Sequence, residues 1–376
     1  MKLIHMSDLH LGKRVSEFSM IEDQEYILKE ILTVIAEEKP DGILVAGDVY
    51  DRSVPPEDAI RLWDDFLVSL VEKKIPVYAI SGNHDSAVRF SDHSTLVEAS
   101  GVFLSPVYDG KVKCHRLKVR GTEVNIYLLP FIKPAEVRHL FEDEDIKSYT
   151  DACRVAVEHM NVDTSAVNIL VAHQFVTGAS RCDSEEVSVG GLDNVDASVF
   201  DPFDYVALGH IHGKQTIGRD TLRYCGTPLK YSFSEKDLVK SLTVIEISGK
   251  DKIDIREIPL KPLRDLREIR GKYEELMLKK NYENTAVEDY IRVVLTDEND
   301  VLDAMARMRV VYPYIMDLSY DNARTRSSRE LKDLKAIETK APIDLFGEFY
   351  EQQNNQPMTD EQRKFVEDCI ESVWEV

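Results

Sequence analysis

The chain has 376 residues, 43% of them hydrophobic, which excludes a disordered protein and predicts two or three packed units. Its formal charge of −21 excludes a protein that grips nucleic acid by bulk positive charge, so DNA binding here requires metals, a local basic groove or a partner. The lack of any 18-residue apolar run, of an apolar leader after Met1 and of a C-x-x-C pair among five cysteines predicts a soluble, cytoplasmic protein with reduced thiols and no membrane partner.

Apolar, strand-like runs lie at 2–7, 42–46, 76–81, 124–129, 167–172, 205–208, 222–225 and 241–247. Ile27, Leu28, Ile31, Leu32 and Ile35 share one face of a helix over 21–38. Ile60, Trp63, Leu67, Leu70 and Val71 do the same after Pro55-Pro56, with Pro56 expected as the first helical residue. Strands alternating with helices and then following one another predict an α/β fold, a two-sheet sandwich flanked by helices, over 1–261. A small α/β capping domain is expected over 262–322, with helix 263–280, strand 290–296, helix 301–311 and strand 314–320. Residues 323–340 carry six Lys/Arg against three Asp/Glu and read as a basic linker. The tail, 341–376, reads as two amphipathic helices, with Ile343, Phe346, Phe349 and Tyr350 on the first. Phe365, Ile370, Val373 and Trp374 stripe the second, and Thr359 with Gln362 makes its capping box.

Five clusters fall at the ends of strand-like runs: Asp8-x-His10, Gly47-Asp48-x-x-Asp51, Gly82-Asn83-His84-Asp85, His173 and Gly209-His210-x-His212. Each has a bland reading. A lone D-x-H is weak, Asp48 fits a turn, Asn83 fits a turn, and an isolated His173 fits a core. Their joint occurrence in one domain-sized stretch, holding five of the ten histidines, points to function instead. Carboxylate, imidazole and amide donors together suit a pair of hard-to-borderline divalent metals. Two such metals, typically about 3.5–4 Å apart, clamp the attacking and leaving oxygens of a phosphoryl displacement. Sites of this kind form outside the carboxyl ends of strands in open α/β sheets.

On these motifs the chain resembles the calcineurin-like metallophosphoesterase superfamily. The longer phrases Met6-Ser7-Asp8-Leu9-His10-Leu11-Gly12, Ser81-Gly82-Asn83-His84-Asp85-Ser86, Val189-Gly190-Gly191, 203–212 and 226–235 are similar to the SbcD family, nuclease subunits of bacterial SbcCD DNA-repair complexes. The resemblance implies Asp8, His10 and His212 on a first metal, Asn83, His173 and His210 on a second, and Asp48 bridging. It makes His84 the acid facing the scissile phosphate and Asp51 the carboxylate that orients His84 and favours its protonated form. Manganese is the expected metal, with magnesium or iron as alternatives. The implied activity is exonuclease action on duplex ends and endonuclease action on DNA hairpins, in a homodimer assembled with a coiled-coil ATPase of the SbcC type. No G-x-x-x-x-G-K-[S/T] loop occurs, so ATP falls to that partner.

Lys13, Arg14, Arg52, Arg89 and Lys230 lie near the motifs and are candidate DNA contacts, though each also fits a solvated surface charge. Phe346, Phe349, Phe365, Ile370, Val373 and Trp374 are the candidate docking residues for the ATPase. Two other readings stay open on the metal motifs alone: a stand-alone phosphoesterase acting on nucleotides or phosphoproteins, and a non-catalytic scaffold.

Overall fold

Side chains alternate across a strand, so an apolar run with no polar interruption must be buried on both faces. The computed structural model shows what covers them. It describes residues 1–119, 122–185, 193–250, 252–322, 325, 343, 346–347, 350 and 358–374, of which 368 and 371–374 by backbone. One six-stranded sheet runs Lys252–Pro259, Ser241–Gly249, Lys2–Met6, Gly42–Ala46, Val77–Ile80, Val102–Leu104. Its last four strands are parallel, while Ser241–Gly249 and Lys252–Pro259 add an antiparallel pair at the other side. A second six-stranded sheet runs Gln215–Ile217, Arg219–Tyr224, Tyr205–Gly209, Val167–His173, Thr122–Leu129, Lys113–Val119. Its four central strands are parallel and its two edges antiparallel.

The sheets pack face to face. Leu44, Ala46, Ile169 and Val171 point into the layer between them, whereas Ile43 and Val45 point to one outer layer and Leu170 and Ala172 to the other. Helices Ile21–Glu38 and Glu57–Glu72 cover the first sheet with Ile27, Leu28, Ile31, Ile35, Trp63, Phe66 and Leu70. Helix Tyr149–Glu158 covers the second with Ala152, Cys153, Val155 and Ala156, and a Ser148–Asp151 capping box starts it. Each fully buried aliphatic side chain here contributes roughly 1.5–3 kcal/mol. Pro56 is the N-cap in an extended conformation and not the first helical residue, and Ile60 lies 47% exposed, off the buried face. Edge strands such as Lys113–Val119 and Lys252–Pro259 alternate in exposure and have no apolar run to announce them.

The chain divides into two compact units. One comprises Met1–Ile269, Met277–Val293 and Asp303–Leu318, the other Arg270–Leu276, Val294–Leu302 and Ser319–Val376. Strands Leu266–Gly271, Tyr290–Leu295 and Ile315–Tyr320 form a three-stranded sheet. The helix expected over 263–280 is therefore a strand followed by the short helices Tyr273–Leu276 and Lys279–Tyr282. Leu266, Ile269, Tyr273 and Leu276 mimic a helical stripe by their spacing. Backbone pairing at both ends overrides it, with Tyr290 N–H donating to Asp265 O at 2.8 Å and Thr296 N–H to Gly271 O at 3.0 Å. The helix expected over 301–311 shrinks to Ala304–Met308. In the tail, helix Asp360–Trp374 begins with reciprocal Thr359–Gln362 hydrogen bonds at 2.9 and 3.3 Å. Val189-Gly190-Gly191, Phe349, and the 323–340 linker apart from Thr325 lie outside the described residues, as do the side chains of Val373 and Trp374.

Candidate metal centre

Parallel strands end together, and the candidate donors sit where they end. Asp8 and His10 follow Lys2–Met6, Asp48 follows Gly42–Ala46, and Asn83 and His84 follow Val77–Ile80. His173 closes Val167–His173, and His210 and His212 follow Tyr205–Gly209. Asp8, His10, Asp48 and His210 all hold positive φ, of 53°, 45°, 50° and 96°. Such strain, of order 1–3 kcal/mol per residue, persists only where the surroundings over-determine it. Here the loops lace together: Asp8 N–H donates to Gly47 O and His10 N–H to Asp48 O, each at 3.0 Å. The His210 N–H reaches across from the second sheet to Asp8 Oδ1 at 2.9 Å. Two glycines permit the approach. A Cβ on Gly209 would stand 1.8 Å from Ala46 O, and one on Gly82 2.1 Å from Asp48 Oδ1.

The donors form two lobes. In one, Asp8, His10 and His212 present ligand atoms within 4.8 Å of one another, and His10 Nε2 is 3.1 Å from His212 Nε2. In the other, Asn83 Oδ1 lies 2.9 Å from both His173 Nε2 and His210 Nδ1. Asp48 Oδ2 reaches both, at 3.7 Å from His10 Nε2 and 3.3 Å from His173 Nε2. Asp8 also groups with Asp48 and His173, and His10 and Asp48 group with His84.

Buried carboxylates need a positive neighbour. Burial pushes Asp8 up; burial opposes Asp48 too, yet His173, His10 and His84 hold it well below the usual carboxylate range. Burial would lower His173, but Asp48 raises it to about 9. His10 and His210 are driven down to about 3 by burial, which leaves neutral rings with a lone pair to offer. A mixed oxygen and nitrogen donor set around buried carboxylates fits divalent cations.

His84 Nδ1 is 3.0 Å from the backbone carbonyl of Asp51, while its Nε2 stands 4.0 Å from Asp48 Oδ2. The Asp51 carboxylate points elsewhere, accepting from Lys13 Nζ at 2.6 Å and lying 3.5 Å from His10 Nδ1. The contact expected of that carboxylate is therefore made by its main chain. Spacing in the sequence cannot distinguish the two. Asp85, in the same motif, staples two loops by accepting from Val49 N–H at 3.2 Å, Tyr50 N–H at 2.9 Å and Gly82 N–H at 2.9 Å. Burial and the Asp48 charge push its carboxyl up to about 6 against those hydrogen bonds.

Sequence reasoning misses Ser184, Glu185, Glu235 and Lys240. Ser184 Oγ sits 2.6 Å from His212 Nδ1 and 2.6 Å from Glu235 Oε1, and Glu185 Oε1 accepts the His212 N–H at 2.6 Å. Glu235 closes the 226–235 phrase, but no spacing rule ties it to His212.

Of the basic candidates, Arg14, Arg52 and Arg89 are exposed. Lys13 is engaged by Asp51, and Lys230 donates to Lys236 O at 2.6 Å and to Asp265 Oδ1 at 2.8 Å. In the tail, Phe346 and Phe365 are 41% and 69% exposed and line a hollow with Tyr350, Met358 and Val366, while Ile370 is half-buried.

A family model described as calcineurin-like phosphoesterase matches residues 1–214, and one described as type 5 capsule protein repressor C-terminal domain matches 262–354. The SbcD nuclease of the SbcCD complex from Staphylococcus epidermidis is 34% identical over 343 residues, covering 88% of this chain and 89% of its own. Among solved structures, the protein TT1561 of Thermus thermophilus is 12% identical with a TM-score of 0.41, over 68% of this chain and 98% of that one. A dimetal phosphatase from Danio rerio is 10% identical with a TM-score of 0.42, over 70% and 98%. Among the described residues no helix is long and apolar enough to cross a membrane.

Proposed function

We propose, from the premise that this chain belongs to the calcineurin-like phosphoesterase family and within it to the SbcD nucleases, that it hydrolyses DNA phosphodiesters at a two-metal centre built from both sheets. The observation that carries this reading is Asp48, whose Oδ2 reaches His10 at 3.7 Å and His173 at 3.3 Å and so joins two donor lobes.

Asp8, His10 and His212 would hold one divalent cation and Asn83, His173 and His210 the other, manganese being our choice for both. When bound, the pair supplies Lewis-acid activation of water and neutralises charge on the phosphate. His84 supplies the proton. The Asp51 carbonyl can only accept, so His84 Nδ1 carries a hydrogen and Nε2 is the nitrogen that gains and loses the catalytic proton. Donation from Nε2 to the leaving sugar oxygen contributes about 10²–10⁴-fold. The exposed Arg14, Arg52 and Arg89 are the basic residues best placed to meet phosphates.

The substrates in this reading are duplex ends and hairpins. An SbcC-type coiled-coil ATPase is the partner, in the cytoplasm. Residues 262–322 form a capping unit on DNA and 323–340 a tether. Residues 341–376 dock on the coiled coil, a role supported by the exposed Phe346 and Phe365. In this reading the assembly is a homodimer joined to that ATPase. The test is metal-dependent cleavage of a DNA hairpin beside a generic phosphomonoester, with and without the ATPase. Preferential hairpin cleavage that the ATPase extends to duplex ends is the expected result. Turnover of the monoester alone would replace this reading with a stand-alone phosphoesterase.

A further inference from the structure

The two ring nitrogens of His212 face different worlds. Nε2 looks into the pocket, 3.1 Å from His10 Nε2, while Nδ1 lies 2.6 Å from Ser184 Oγ. Ser184 Oγ is in turn 2.6 Å from Glu235 Oε1, and Glu235 Oε2 is 2.5 Å from Lys240 Nζ. Glu235 is fully buried, and the Lys240 ammonium is fixed further by His212 O at 2.9 Å and Thr227 Oγ1 at 2.7 Å.

The donors along this chain run in one direction only. A carboxylate paired with an ammonium has no hydrogen to give, so the Ser184 hydroxyl donates to Glu235. Its oxygen then offers His212 nothing but lone pairs, and Nδ1 must carry the ring hydrogen. Nε2 keeps its lone pair, aimed at Asp8 and His10. A serine between ring and carboxylate also keeps the full negative charge one hydroxyl away from the imidazole. His173 reaches the same Nδ1–H state by another route, through the Ala46 carbonyl at 2.8 Å.

We propose that Ser184 and Glu235 are positioning residues that set the Nδ1–H tautomer of His212 and so make its Nε2 a ligand of the first metal. This deepens the two-metal reading and rests on it. Partners of this kind orient a metal-binding imidazole, and losing one typically costs about 10–100-fold in metal affinity.

The test uses the full chain with selectively labelled histidine. Long-range proton–nitrogen spectra of the metal-free protein read the tautomer, and calorimetric titration with Mn²⁺ reads the two affinities. The parent should show His212 as Nδ1–H. Ser184→Ala should release the tautomer and weaken one Mn²⁺ site by about 10–100-fold while sparing the other. Ser184→Thr, which keeps the hydroxyl, should restore both readouts. Glu235→Gln should act in the same direction as Ser184→Ala, but it also disturbs Lys240, so the serine pair decides. A Ser184→Ala variant that keeps the tautomer and both affinities would overturn the relay. A tautomer that responds as stated in a parent that fails to cut DNA would strike the nuclease reading and leave the relay standing.

Discussion

The two donor lobes differ in what holds them. His173 is fixed by main chain: it is paired with Gly209 in the second sheet, and its Nδ1 meets the Ala46 carbonyl at 2.8 Å. His212 is held through side chains, its ring by Ser184 at 2.6 Å and its backbone N–H by Glu185 at 2.6 Å. A ligand fixed by strand pairing moves only if the sheets move. One fixed by a serine and two glutamates can be tuned by single substitutions. Rigidity and adjustability are thus divided between two halves of one pocket.

The change that breaks both halves at once should have the largest effect. Asp48→Ala removes the carboxylate whose Oδ2 stands 3.7 Å from His10 Nε2 and 3.3 Å from His173 Nε2. It should lose both cations and cut activity by roughly 10³-fold or more. Metal content and cleavage measured together check it, and near-normal cleavage in metal-limited buffer contradicts the two-lobe arrangement. His84→Ala sits outside the comparison. It should keep both cations and lose turnover by roughly 10²-fold. Loss of one metal equivalent would make His84 a ligand, as its grouping with His10 and Asp48 allows.

Because His173 Nδ1 meets a main-chain carbonyl, that hold is broken by adding a side chain and not by deleting one. Gly209→Ala places a Cβ 1.8 Å from Ala46 O and 2.7 Å from His173 Nδ1. We expect a stability loss of about 1–3 kcal/mol from the forced backbone shift. Affinity should fall at the His173 site and hold at the His212 site. Urea midpoints beside Mn²⁺ titrations measure this, and an unchanged midpoint would mean that the sheets are less tightly joined than the geometry says.

That contrast also explains how much could be read in advance. The convergence of the seven candidate donors was legible because each sits within a few residues of an apolar run, and strand ends are local features of sequence. The central strands and the helix Ile21–Glu38 were legible for the same reason, since burial on a whole face writes a period into the chain. Ser184 and Glu235 were not legible. They lie 28 and 23 residues from His212 on opposite sides of it, and only the folded loops bring them together. The strand Leu266–Gly271 was misread as helix because four apolar residues happen to be spaced by three and four. That Asp51 meets His84 was legible, but not which of its atoms does so. A motif names residues; the direction of a carboxylate is settled by a competitor, here the ammonium of Lys13 at 2.6 Å.

The smallest expected effect separates two basic side chains, Arg52 and Lys230. Arg52 has a side chain 72% exposed and only a 3.7 Å contact with Asp51 Oδ2. Lys230 is 11% exposed and is engaged by the Lys236 carbonyl at 2.6 Å and by Asp265 Oδ1 at 2.8 Å. A phosphate contact contributes through released counterions, about 0.9 per phosphate in the slope of log affinity against log salt on duplex DNA. Arg52→Ala should therefore flatten that slope by about 1 and weaken binding alike for all sequences, with turnover of bound DNA unchanged. Lys230→Ala should leave the slope alone, because its ammonium would have to give up two internal acceptors to meet a phosphate. Salt-dependent binding to a short duplex, measured without metal so that cleavage does not intervene, distinguishes the two. A flattened slope for Lys230→Ala with none for Arg52→Ala would place the DNA on the side of the pocket where Lys230 and Asp265 meet and away from the Asp51 loop.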